Sequence, residues 1–339
     1  MAKHRLFKGI FILLAPLLLT VIGGYCADEG SPLFWPPPPA PIRVVFVKSI
    51  YFPDNAGIKA GFFKKLKGLI IGEEKDILNK PIAVAVDKQK TIYICDSGRP
   101  AVHIFMQKEK RYKKITTVNK EELLSPVGVA VSDNGLVFVA DSGLRKVLCL
   151  DKEGRFNFTM GAAGAFLRPT GLAVVKDRLY VADTLAHSIS VFDLKGNFIT
   201  RFGARGRREG EFNYPTSIAA DREGRIYVVD TLNFRIQVFD EASKYLYSIG
   251  QLGDSSGSFA RPKGVGVDSL GHIYVTDALF DNMQIFNQKK EFLLSLGEAG
   301  HGSGEFWMPC GLATDSENCI YVADSYNQRI QVFRYVGKE

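Results

Sequence analysis

Six times along the 339 residues a proline is followed, 14 or 15 positions later, by an aspartate that closes a short run of β-forming residues. The prolines are Pro81, Pro126, Pro169, Pro215, Pro262 and Pro309. The aspartates are Asp96, Asp141, Asp183, Asp230, Asp277 and Asp324, stepping by 45, 42, 47, 47 and 47 residues. A period in the forties with several short strands per unit is the signature of radially repeated β-sheet. Six units predict an all-β, six-bladed β-propeller of four-stranded blades, with repeats starting near residues 81, 126, 169, 215, 262 and 309. Such rings serve as binding modules, scaffolds and enzymes alike, so architecture alone does not assign function.

The fourth unit shows the pattern within a blade. Ser217 to Ala220 is a short apolar strand, and Asp221-Arg222-Glu223-Gly224 is a turn. Arg225 to Val229 is a second strand ending at Asp230, Ile236 to Phe239 a third and Tyr245 to Ile249 a fourth. These runs are rich in Val, Ile, Tyr and Phe and are bounded by Gly, Asp and Asn. The turn recurs as Ser132-Asp133-Asn134-Gly135, Asp268-Ser269-Leu270-Gly271 and Asp315-Ser316-Glu317-Asn318, whose residues supply local hydrogen bonds and positive φ. Six copies of one carboxylate point to a structural part, with the aspartate folded over the N–H groups of the loop that follows.

Asp230-Thr231-Leu232-Asn233-Phe234-Arg235-Ile236-Gln237-Val238-Phe239 and Asp324-Ser325-Tyr326-Asn327-Gln328-Arg329-Ile330-Gln331-Val332-Phe333 resemble the core of the NHL repeat. The preceding Pro-x-Gly and Ile-Tyr-Val-x-Asp pieces fit it too. The resemblance covers roughly residues 80 to 335, and it is weakest at Asp96-Ser97-Gly98-Arg99-Pro100, which lacks the Asn-x-Arg element. It implies a propeller that recognises a partner, while a minority of related propellers are metal-dependent lyases or lactonases.

The last unit ends with its third strand, Ile330 to Phe333, so its outer strand must come from elsewhere. Residues 42–50, containing Val44-Val45-Phe46-Val47-Lys48-Ser49-Ile50, resemble the fourth strands of other units and are assigned to close blade six. The rival is Leu66 to Ile71. There, however, Phe62, Phe63, Leu66, Leu69 and Ile70 fall on one helical face beside four lysines, which predicts an amphipathic helix inserted at 58–71. That helix packs on the propeller or lies on a membrane surface.

Lys3, Arg5 and Lys8 precede an uncharged run from Ile10 to Ile22, short for a membrane span and suited to a secretory signal over residues 1–25. Val21-Ile22-Gly23-Gly24-Tyr25-Cys26 resembles a lipoprotein signal with Cys26 as the lipidated residue, although Tyr25 is larger than that pattern takes. Cleavage after Gly24 or Ala27, or retention as an anchor, are the alternatives. Residues 26–41, with Trp35-Pro36-Pro37-Pro38-Pro39, read as a stiff spacer holding a 42–335 propeller off a bilayer. The expected location is therefore the periplasm or cell envelope, with membrane attachment through the amino terminus.

The formal charge of +7 falls to +4 once Lys3, Arg5 and Lys8 are removed, too mild to point to nucleic acid. Cys95 and Cys149 read as buried small apolar residues. Cys310 and Cys319 share a hairpin whose turn pairs Cys319 with Thr314, so the two are out of register for a disulfide. Beyond His4, the histidines His103, His187, His272 and His301 occupy four different repeat positions and form no symmetric ring. There is no His-x-x-x-His, Gly-x-Ser-x-Gly or phosphate-cradling loop. No catalytic residue, metal ligand or cofactor is assigned.

In a four-stranded blade the first strand starts, and the second ends, at the same end of the barrel. Two residues past the aspartates stand Gly98, Gly143, Leu185, Leu232, Leu279 and Tyr326, joined by Phe234 and Phe280. The loops leading into the units add Arg205, Arg207 and Arg208, then Arg261 with Lys263, then His301 and Trp307. An apolar patch rimmed by charge predicts a protein-binding face. The competing reading has the leucines plugging clefts between blades. The reading reached is an exported, membrane-tethered, non-catalytic and monomeric propeller that binds another envelope protein. Its alternative is a calcium- or zinc-dependent hydrolase or lyase with its site in the central channel.

Overall fold

The computed structural model describes residues 33–58 and 78–337. The β-branched and aromatic runs form antiparallel sheets, and four-stranded order follows chain order in blades one to five. Blade four, for example, is Pro215–Ala220, Ile226–Asp230, Arg235–Phe239 and Tyr245–Ile249. The innermost strand of each blade packs on that of the next, and Pro309–Thr314 of blade six returns to Pro81–Val86 of blade one. The ring is closed.

Its apolar core is not central. Six separate clusters lie one at each boundary between neighbouring blades. Between blades three and four, Tyr180, Ile189 and Val191 meet Phe212, Ile226 and Phe239. Truncating a fully buried aromatic such as Phe212 costs about 3–5 kcal/mol. The geometry explains the sequence period: each sheet buries both faces, but only when both neighbours are present.

Closure follows the expected route. Val44–Ile50 pairs antiparallel with Arg329–Tyr335, and Val44 and Ile50 at its ends are fully buried. A fifth strand not foreseen from the sequence, Phe34–Trp35, pairs with Val44 and Val45 on the outer edge. Phe34 and Trp35 of the segment read as a stiff spacer are thus folded onto blade six, while residues 37–41 stay exposed. Trp35 meets the Phe333 ring edge-on at 5.8 Å and lies over Gly304, where an added Cβ would come within 2.6 Å of the indole. An edge that would stay open is covered twice. The amphipathic helix expected at 58–71 lies, beyond Ile58, outside the described residues, as do the signal over 1–25 and Cys26. One detail of blade six is corrected: Thr314 pairs with Ile320, not Cys319. The register shift after Pro309 moves the turn by one position.

Candidate functional site

The repeated aspartates hold one end of the ring together. All six carboxylates are buried. Each accepts from one or two N–H groups of the loop leading into its own blade: Asp183 from Leu167 and Arg168, both at 2.8 Å, Asp277 from Ala260 and Arg261, at 2.7 and 3.0 Å, and Asp230 from Asn213 alone. Most also accept from the loop that follows, as Asp141 does from Gly143 and Leu144 at 2.9 Å. The sequence predicted the second set of bonds and missed the first. In blades four and six the Asn-x-Arg-x-Gln element completes the set: Asn233, Arg235 and Gln237 converge on Asp230, and Asn327, Arg329 and Gln331 on Asp324. Lead-in loop and post-aspartate loop therefore share one face, seen also in the bond from Leu232 N–H to the Asn213 carbonyl at 3.0 Å.

A second device at this face escaped the sequence reading. The residue after each aspartate is Ser97, Ser142, Thr184, Thr231, Ala278 or Ser325. Ser142 donates to the Pro169 carbonyl at 2.6 Å, Thr184 to Pro215 at 2.7 Å and Thr231 to Pro262 at 3.1 Å; Ser325 donates to Pro81. Each bond crosses to the next blade. At Ala278 the hydroxyl is missing, and Thr276 instead donates to Cys310 O at 2.5 Å. The signal was visible as a column of hydroxyl residues, but its target is unreachable without the ring. Close approach of the same strands explains the glycine of Pro-x-Gly: a Cβ at Gly128 would lie 1.8 Å from Thr170 O of the next blade.

The residues proposed for binding divide into four groups. Leu185, Leu232, Leu279, Trp307 and Tyr326 are solvent-exposed at 45, 43, 63, 46 and 45 %. The leucines do not plug inter-blade clefts. Phe234 and Phe280 depart from the exposed patch: both are half-buried, and Phe234 packs against the cluster between blades four and five. Arg205, Arg207 and Arg208 are exposed on a loop held by Glu211, whose carboxylate accepts from the Arg207 and Arg208 N–H groups at 3.0 Å. Lys263 is not in a loop but in the strand Pro262–Val267, where it lines the central channel. At blade six an aromatic cluster forms, with His301 and Trp307 at 5.1 Å and Trp307 and Tyr326 at 5.4 Å. Lys80 of blade one sits 4.7 Å over the Tyr326 ring.

The channel holds about 740 Å³. Its loop-face mouth carries Lys80, Arg168, Arg261 and Lys263, and among the described residues no aspartate, glutamate or histidine lines it. Burial holds the Lys263 ammonium below its ordinary value against the pull of Cys310, with smaller repulsion from Arg261 and Arg168 in the same direction as burial. The Cys310 thiol, also on the lining, is pushed up by burial. Four cations and one thiol kept protonated by burial do not fit calcium, which takes carboxylate and carbonyl oxygens, or zinc, which takes several thiolates, imidazoles or carboxylates together. Among the described residues no three His, Cys, Asp or Glu side chains converge as metal ligands.

Comparison with known proteins agrees with this geometry. Residues 259–286 and 306–333 match the NHL repeat, and residues 166–233 match a 6-bladed beta-propeller family, DUF5128. The chain is 27% identical over 163 residues to Protein brain tumor of Drosophila melanogaster, covering 44% of this chain and 14% of that protein. It therefore spans well under two thirds of that relative's length. A Bacteroides thetaiotaomicron protein of unknown function superposes with a TM-score of 0.60 at 15% identity, over 76% of this chain and 70% of the other. Virginiamycin B lyase from Staphylococcus aureus does so with a TM-score of 0.56 at 12% identity, over 76% and 95%. At such identities the likeness is one of fold.

Proposed function

We propose that this NHL-repeat propeller is a non-catalytic docking module, exported and tethered to a membrane, that binds a protein partner on the face formed by the aspartate-capped loops. One observation carries the docking: Leu185, Leu232, Leu279 and Tyr326 stand exposed at equivalent positions of four successive blades, with Trp307 beside them and arginines at the rim. Isolated exposed leucines need no explanation, but a row of them at one end of a ring is the composition of an interface core with a charged rim. The framework beneath is rigid, because buried carboxylates fix every loop, so little ordering entropy opposes binding.

Export and tethering rest on the amino-terminal sequence, with Cys26 as the anchor residue. Among the described residues no helix is long and apolar enough to cross a membrane. The experiment is fractionation of cells carrying the wild type or Cys26→Ser, followed by capture with the purified propeller from envelope extract. Release of the Cys26→Ser protein into the soluble fraction supports the anchor, and unchanged membrane association counts against it. Capture that survives polar substitution at Leu232 and Leu279 would remove the docking face.

A further inference from the structure

We infer that the central channel is a binding site for an organic oxyanion with an aliphatic body, its carboxylate or phosphate head seated on Lys80, Arg168, Arg261 and Lys263. This site does not depend on the docking reading above. The cavity, at about 740 Å³, lies within the range of small-molecule sites, roughly 300–1,000 Å³.

The charge arrangement is what selects the ligand. Four cations from three blades gather at one mouth of a recess in which no carboxylate among the described residues forms the lining. Elsewhere on the molecule several cations have carboxylate partners: Arg225 with Asp221, Arg235 with Asp230, and Lys90 with Asp315. At the mouth, Lys80 meets only the hydroxyl and ring of Tyr326, and the side chains of Arg168, Arg261 and Lys263 have no anionic partner among the described residues. Like charges held together beside low-dielectric walls focus a positive potential, and an oxyanion relieves their mutual repulsion. Arginine adds a fork of donors that fits carboxylate and phosphate.

Below the mouth the lining turns aliphatic, with Val84, Leu172, Ile218 and Leu312 contributed by different blades. A six-residue strand such as Pro262–Val267 gives the wall a depth of about 20 Å at about 3.3 Å per residue. At the other end the first strands run into turns that carry Asp87, Asp221, Asp268 and Asp315. There Asp221 and Asp315 are already paired with Arg225 and Lys90. An amphiphilic anion would enter with its head held at the loop face and its chain inside.

The test is calorimetric titration of the full chain with decanoate, decyl phosphate, decan-1-ol and inorganic phosphate. Expected is saturable one-to-one binding of decanoate or decyl phosphate that weakens as salt is raised, with whichever binds tighter identifying the head group. Arg168→Gln combined with Arg261→Gln should weaken it at least tenfold while the melting temperature is retained. Equal affinity for decan-1-ol, equal affinity for inorganic phosphate, or unchanged binding by the double variant would each overturn the site, as would no saturable binding of any probe. Should the double variant unfold, the salt dependence and Lys80→Gln, at a half-exposed residue, still decide. Leu279→Ser lies outside the lining, so normal titration with lost partner capture separates this site from the docking face.

Discussion

Arg329 Nε lies 2.7 Å from Asp324 Oδ2, and both side chains are sealed from solvent. The rest of the guanidinium donates to the carbonyls of His301, Gly302 and Glu305, and Nη1 reaches the Tyr51 hydroxyl at 3.0 Å. One side chain therefore joins the repeat aspartate, the loop leading into blade six and the segment just after the closing strand. Removing one partner of a buried pair leaves the other charge uncompensated.

Arg329→Met should accordingly destabilise the domain by about 3–5 kcal/mol. Arg235→Met, at the equivalent but more exposed position of blade four, should cost less. Urea denaturation of the two variants side by side checks the order.

Deleting residues 42–50 should lower the stability of the whole ring and not of blade six alone. Val44 and Ile50 are fully buried, and each such side chain contributes about 1.5–3 kcal/mol. A fall in melting temperature of more than about 5 °C is expected. An unchanged melt would show that another segment closes the blade.

At the loop face, Leu232→Ser with Leu279→Ser should leave stability within about 0.5 kcal/mol per site, because both leucines are exposed. Partner affinity should drop at least about tenfold, since each leucine desolvated on a partner is worth roughly 1.5–3 kcal/mol. Thermal melting beside a binding titration reads both. A large loss of melting temperature would return the leucines to the core.

Thr184→Val keeps shape and removes the hydroxyl that joins blade three to the Pro215 carbonyl. Leaving a buried carbonyl unpaired costs about 1–3 kcal/mol. Denaturation midpoints would show it, and Thr184→Ser should recover most of the loss.

Asp268 gives a pH dependence. Burial pushes its carboxyl up, but the bonds from His272 and Tyr274 outweigh this and hold it below its ordinary value. A carboxyl depressed in the folded state contributes stability present above its unfolded pKa, about 3.9, and lost as pH falls through the folded value. Asp268→Asn should therefore be less stable than the wild type near neutrality. That difference should shrink in acid, as followed by melting across a pH series.

The number of blades, the strands within each and the closure of blade six are legible in the linear chain. Those follow from a spacing of prolines and aspartates and from short runs of β-forming residues bounded by Gly, Asp and Asn, which are local properties of the chain. It also placed Leu185, Leu232 and Leu279 on one face, because topology alone fixes which loops share an end. Other features depend on neighbours far away in the chain. Phe234 and Leu232 are two residues apart, yet one packs between blades and the other meets solvent, a difference set by the 3₁₀ turn Thr231–Asn233 and the positive φ of Phe234. Lys80, Arg168, Arg261 and Lys263 are spread over 184 positions and look like ordinary surface charges in a linear reading. Ring closure brings them to one mouth, because each stands beside a proline that begins an innermost strand.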